Sequence, residues 1–324
     1  MDSLKPLLVL ALLARVAVAD PDAGSAAAPP AAATFATDPS AAVVSVTPDA
    51  GWFDRRVSAI SVGAVYAVAG TWAYFAWFDG AHTKPFFWQT PSWAYEQPFS
   101  IKDYAGSADK WGHGWANYAL VRGTTELLAA GGWPKLQSSL VAAGVAETLF
   151  AMQETKDGHI WGFEVGDMAM DVLGAGFAVA MENLPQLDRL IDFRMSWVPS
   201  SDFRKLWAQH PWQRGDGVDF TQDYTGMTFQ LAVHMAPLAD VADELWWTQW
   251  VDVVGGFEAK GFEPTQMPMR FTPYQDFYLG VGVNLQGIID HTLSGKLRAF
   301  GHGFTEVFAV PGQVLRLGEE RRTR

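Results

Sequence analysis

Near Asp188 the apolar pattern of this chain changes period, from helical spacing before it to strict alternation after it. A helical pattern cannot settle as a strand, nor an alternating one as a helix, so the chain must build two kinds of layer in succession. After the switch, Phe229, Leu231, Val233 and Met235 fall on one face of Thr228–Met235, and Phe277, Leu279, Val281, Val283 and Leu285 on one face of Phe277–Leu285. Asp192–Val198 and Gln249–Ala259 read as further strands, and Phe304–Val310 as a weaker one. Five or six strands are too few for a transmembrane barrel, which begins at about eight. The expectation is an α+β fold: an N-terminal helical layer over residues 51–190, then a small antiparallel meander over 191–318, with 319–324 as a charged tail.

Before the switch, three helices have clear limits. One runs from Ala108 to Ala130 and stops at Gly131-Gly132-Trp133-Pro134. A second runs from Lys135 to Glu154, stopping near Asp157-Gly158, and a third from Glu164 to Glu182, stopping at Asn183-Leu184-Pro185. Gly and Pro at these points end helices because one tolerates left-handed backbone and the other lacks an N–H. Gly174-Ala175-Gly176 implies that the third helix approaches a neighbour closely. Ahead of them, Val57–Phe78 is 22 residues without a charge. By length it could cross a membrane, but a helix buried among other helices would look the same.

The first 50 residues read as export machinery rather than fold. Lys5, the eight-residue apolar run Leu7–Ala14 and the ending Ala17-Val18-Ala19 describe a signal peptide over 1–19. Residues 20–50, dominated by Ala, Pro, Ser, Thr and Asp, read as a disordered tether. The 324 residues contain no Cys, so disulfides and thiolate chemistry are out, and the net charge of −12 excludes nucleic acid as the main partner. Fifteen Trp point to a large aromatic core or to a belt at a membrane interface.

The unusual residues are charges set into apolar helices. Asp109 and His113 lie four apart on one helical face, with Lys110 beside them. Glu154 and Asp157 are one turn apart, seven and more residues beyond Glu147; Glu164, Asp167 and Asp171 share a face at spacings of three and four. If these carboxylates converge, cations, protons or water must relieve their repulsion. A divalent metal held by His113, Glu154, Asp157 and Asp167 is one solution, and a lipid head group held by Lys110 another. A buried ion-pair network that fixes helix register is the plainer reading. The other histidines, His82, His159, His210, His234, His291 and His302, read as ordinary surface or strand residues. No Gly-x-Ser-x-Gly elbow and no His-Glu-x-x-His occur.

At Asp109-Lys110-x-x-His113, Glu154-x-x-Asp157, Trp161-Gly162-Phe163 with Asp167, and Asp171-x-x-Gly174, the chain resembles the YfiM-like family of predicted periplasmic lipoproteins, a family of unknown function. The same pattern is distantly similar to VanZ-like membrane proteins. The resemblance implies an envelope location and supplies no reaction. It departs in two places: there is no Cys to lipidate, and Asp171 stands where VanZ-like proteins have Asn. The sequence thus leads to an exported protein of the periplasm or of a membrane face, a non-enzymatic component with lipid or an envelope protein as partner. Its polar site comprises Asp109, Lys110, His113, Glu154, Asp157, Asp167 and Asp171. The alternative is a metal-dependent enzyme or binding protein acting on lipid or glycan head groups. No cofactor is demanded beyond that divalent ion.

Overall fold

A computed structural model describes residues 52–89, 97–209, 220–262 and 272–323. The signal-peptide and tether assignments lie outside the described residues. Helix α1, Arg55–Ala73, starts at Asp54, whose carboxylate accepts the N–H groups of Arg56 and Val57 at 2.8 and 3.0 Å. It runs on into a wider π-type turn, Tyr74–Phe78. Helices α2 (Ala108–Ala130), α3 (Lys135–Asp157) and α4 (Val165–Asn183) follow at the limits set by Gly131, Gly158 and Leu184-Pro185. Four strands form next: β1 (Ile191–Trp197), β2 (Met227–His234), β3 (Val251–Lys260) and β4 (Tyr274–Val283). Helix α5 (Ser201–Gln209) lies between β1 and β2. Helices α6 (Leu285–Thr292) and α7 (Gly295–Val307) then precede β5 (Val314–Thr323).

The strands pair antiparallel in the order β1-β2-β3-β4-β5, a meander. Register places Met195, Phe229, Phe257 and Phe277 in one cross-strand row. That row faces α2: Trp111 packs against Phe257 and Phe193 with ring centroids 5.7 and 6.0 Å apart. Phe229 and Phe257 are buried, and each contributes about 1.5–3 kcal/mol by leaving water. The core is therefore the interface between the sheet and α2, which α3 and α4 flank on its other sides.

Two backbone details set the position of α2. Gly106 and Ser107 both adopt left-handed backbone, with φ of +57° and +64°. A Cβ on Gly106 would sit 2.4 Å from the Phe262 ring, so only glycine fits between that ring and the helix start. Further on, a Cβ on Gly174 would lie 2.0 Å from the Gly114 carbonyl oxygen. Backbone contact between α2 and α4 at this crossing is what draws the first turns of the two helices together.

Two expectations are corrected. Phe304–Val310 is mainly helical, belonging to α7, because Phe300, Phe304 and Phe308 are spaced by four and stack in sequence at 6.3 and 4.9 Å; only Phe308 bridges to the sheet, at Met195. The charged segment 319–324 is not a tail through Thr323, since β5 pairs with β4 along its length. The arginines of β5 find partners on the sheet: Arg321 makes two bonds to Asp276 of β4 at 2.7 and 2.8 Å, and Arg316 pairs with Glu258 of β3 at 2.9 Å. Charge on an edge strand discourages further strand addition.

Candidate functional site

Asp109, Lys110 and His113 occupy the first turns of α2, and Asp167 and Asp171 those of α4. Lys110 is completely buried. Its Nζ lies 2.6 Å from Asp167 Oδ1 and 3.2 Å from Asp109 Oδ2, and it also pairs with Glu164. His113 Nδ1 lies 3.0 Å from Asp171 Oδ1, which also accepts the Asn117 amide at 2.6 Å. Asp109 Oδ1 accepts the Tyr224 hydroxyl at 2.8 Å. The Phe150 ring packs edge-on to the imidazole at 5.6 Å.

The sequence-predicted residues fall into two ranks. Asp109, Lys110, His113, Asp167 and Asp171 are in direct contact. Glu154 is joined through the backbone N–H of Glu164, which donates to its Oε2 at 3.3 Å, and Asp157 acts on His113 through its charge. The group with geometry to hold an ion is accordingly Asp109, His113 and Asp167, whose donor atoms lie within 4.8 Å of one another. Asp109 stands where Glu154 and Asp157 were expected, because α2 and α4 meet by their first turns while Glu154, in the last turn of α3, reaches the cluster only through the Glu164 backbone.

Electrostatics follow from burial in a place with more carboxylates than cations. Burial pushes Asp103 up to about 7, Glu154 to about 8 and Asp157 to about 7, against the pull of Lys110 or His113. Burial also raises Glu147 to about 7, with Asp171 adding to it. Asp109 differs: burial works upward, but Lys110 and His113 outweigh it and, with the Tyr224 hydroxyl, hold it at about 2. Asp167 goes the other way, pushed well up by burial and by the charge of Asp109. Burial opposes charge on Lys110 and His113, yet the surrounding carboxylates keep both well above their ordinary values.

Sequence reasoning missed several members. Asn117 lies one turn beyond His113 on the same face, so its spacing carried a signal. Asp103, Tyr104 and Tyr224 carried none, since loops and the sheet half deliver them. Two other buried networks were also missed. Arg122 on α2 meets Glu182, Asp188 and Glu306 at 3.3, 2.6 and 3.0 Å. In the sheet, Arg194 pairs with Asp192 at 2.5 Å and with Asp252 at 2.9 Å. His234 bridges the same two carboxylates at 2.9 and 2.8 Å. His234 is thus no ordinary strand residue, and His302, paired with Asp290 and Glu306, is no ordinary surface one. The signal in the strand was Asp192 and Arg194 two apart, on one face of a sheet.

Surface depressions on the helical layer are lined by Thr148, Met152, Lys156 and His159, and by Val68, Thr71 and Trp72. Neither includes a residue of the cluster.

Residues 96–183 match the profile of a family described as a predicted periplasmic lipoprotein (DUF2279). The matched stretch contains α2, α3, α4 and every sequence-predicted site residue. It agrees with an exported, envelope-associated protein. No curated protein and no solved structure matches the chain significantly.

Proposed function

We propose that the protein is an exported, non-enzymatic component of the bacterial cell envelope, attached to a membrane face by its helical layer. The observation that carries this reading is the surface of α1. The helix and its π-turn, Arg55–Phe78, are long and apolar enough to cross a bilayer, yet only 17% of the most apolar stretch is buried inside the protein. A core helix would be mostly covered. Ile60, Val68, Tyr74 and Phe75 face outward instead, and Leu140 and Met152 of α3 and Leu173 of α4 are exposed too. Isolated exposed leucines are unremarkable, but outward positions that stay uncharged through the middle turns of three helices suit contact with a membrane.

The helix lies along the bilayer in this reading rather than through it. Tyr66 shares a hydrogen bond with Thr124 of α2 at 3.1 Å, and Gly70 abuts Leu149 of α3. To cross, α1 would have to carry into the lipid the charges that α2 and α3 hold. Lying in the interface requires only its apolar face to enter. In this reading the apolar face of the helical layer supplies the attachment to the membrane. The likeness to YfiM-like lipoproteins and, distantly, to VanZ-like membrane proteins fits the same location. Liposome flotation of the purified protein tests it. The wild type should float with phosphatidylethanolamine–phosphatidylglycerol vesicles, and an Ile60→Glu, Val68→Glu double variant should stay at the bottom. A wild type that does not float overturns the reading.

A further inference from the structure

We propose that Asp109, His113 and Asp167 bind one divalent first-row transition-metal ion, of the Zn²⁺ or Mn²⁺ class, where α2 meets α4. None of the three lies on α1, so the site stands or falls independently of membrane attachment.

The first argument is the space between His113 and Asp167. His113 Nε2 and Asp167 Oδ2 face each other at 3.8 Å, too long for a hydrogen bond. Two ligands that each reach one ion at about 2.0–2.2 Å lie roughly 3–4 Å apart. The pair therefore has the separation of two ligands rather than of a donor and its acceptor. Asp109 is the third donor within range.

The second argument concerns oxygens that the protein leaves unserved. Among the described residues, Asp171 Oδ2 and Asn117 Oδ1 are buried without a hydrogen-bond donor, on side chains at least nine-tenths buried. Lys110 meets Asp167 Oδ1 as an ion pair, but its ammonium is already divided among Asp109, Glu164 and Asp167. Lys110 and His113 together face Asp109, Glu164, Asp167 and Asp171, so carboxylates outnumber cations here.

The third argument is how the imidazole is held. Asp171 fixes Nδ1, and Asn117 in turn fixes Asp171, which leaves Nε2 presented to the gap. A carboxylate on the far nitrogen of a ligating histidine sets its orientation and strengthens it as a donor. One imidazole nitrogen with two carboxylates favours Zn²⁺ or Mn²⁺ over Ca²⁺ and Mg²⁺, which prefer oxygen alone. The His113 side chain is 12% exposed and that of Asp167 6%.

Calorimetric titration of the full chain, stripped with chelator, with ZnCl₂ and MnCl₂ tests the proposal, with MgCl₂ as the comparison. One ion per chain is expected, held at least tenfold more tightly than Mg²⁺. His113→Ala and Asp167→Asn should abolish that binding, and Asn117→Ala, which touches no ion, should weaken it by about tenfold. Native mass spectrometry should give the same stoichiometry, and circular dichroism should verify that each variant is folded. If His113→Ala or Asp167→Asn does not fold, the wild type still decides: bound Co²⁺ should give visible bands that ZnCl₂ removes. A wild type that takes up neither ion, or folded variants that keep wild-type affinity, would overturn the proposal and leave the cluster an ion-pair network centred on Lys110.

Discussion

Two buried charge clusters sit on opposite sides of the same core, and they are built differently. In the sheet, Arg194 and His234 face Asp192 and Asp252, two cations for two carboxylates. In the helical layer, Lys110 and His113 face Asp109, Glu164, Asp167 and Asp171, with Asp103, Glu154 and Asp157 close behind. Hydrogen bonding is incomplete in both, so charge is what separates them. A balanced cluster is closed and can only lose by change. A cluster with surplus negative charge has capacity for something more. Buried ion pairs are weak evidence for stability as such, but removing one partner is costly because the other is stranded.

That contrast can be broken most sharply at Arg194. Arg194→Met leaves His234 alone against Asp192 and Asp252 and should cost about 3–5 kcal/mol, read from the midpoint of chemical unfolding. A loss under 1 kcal/mol would mean that the sheet cluster is not held by its charge balance. Gly174→Ala should cost about 1–3 kcal/mol by forcing α4 away from Gly114, and it should weaken Zn²⁺ or Mn²⁺ uptake as well because Asp167 moves with α4. Loss of stability with unchanged uptake would show that the crossing does not set the site.

The pH dependence should then differ between the clusters. Burial opposes charge on His234, but bonds to Asp192 and Asp252 raise it to about 9, above its unfolded value of 6.5. Its contribution is full below pH 6.5 and is lost as pH rises through 9. His234→Asn should flatten that decline in thermal melts, and an unchanged profile would exclude His234 as its source. Glu154, raised by burial from 4.5 to about 8, favours the folded state at low pH and loses this as pH rises through 8. Glu154→Gln should therefore be nearly neutral near pH 5 and stabilising above pH 8. Destabilisation at both pH values would count against a surplus of carboxylates in the helical layer.

Much of this architecture was legible because its punctuation is local. Gly131-Gly132-Trp133-Pro134 and Leu184-Pro185 end helices whatever lies around them, and Phe277–Val283 alternates whether or not a partner strand is in view. The i,i+4 spacing of Asp109 with His113, and of Asp167 with Asp171, likewise marked the main cluster in the sequence. What could not be read depended on distant partners. The segment 319–323 is strand because Asp276 awaits Arg321; Phe304 is the exception, since its spacing of four from Phe300 and Phe308 was a local helical signal masked by the apolar run around it. Asp109 rather than Glu154 sits at the metal geometry because of a glycine-to-glycine crossing that spacing alone does not reveal. Tyr224, from the other half of the chain, gave no sign at all.

The left-handed start of α2 has a consequence for the order of assembly. Gly106 is wedged against Phe262, and its carbonyl accepts the Gln275 side-chain amide at 2.9 Å across 169 residues of sequence. The helix that carries the site is thus seated by Phe262, just past the end of β3, and by Gln275 of β4, residues synthesised long after it. Contacts of such separation are slow to form, because the intervening chain must close before they repay it. The two halves, so different in period, cannot mature as successive units. A chain that crosses a membrane N-terminus first reaches the far side with α2 still unanchored, and the fold locks only when the sheet arrives.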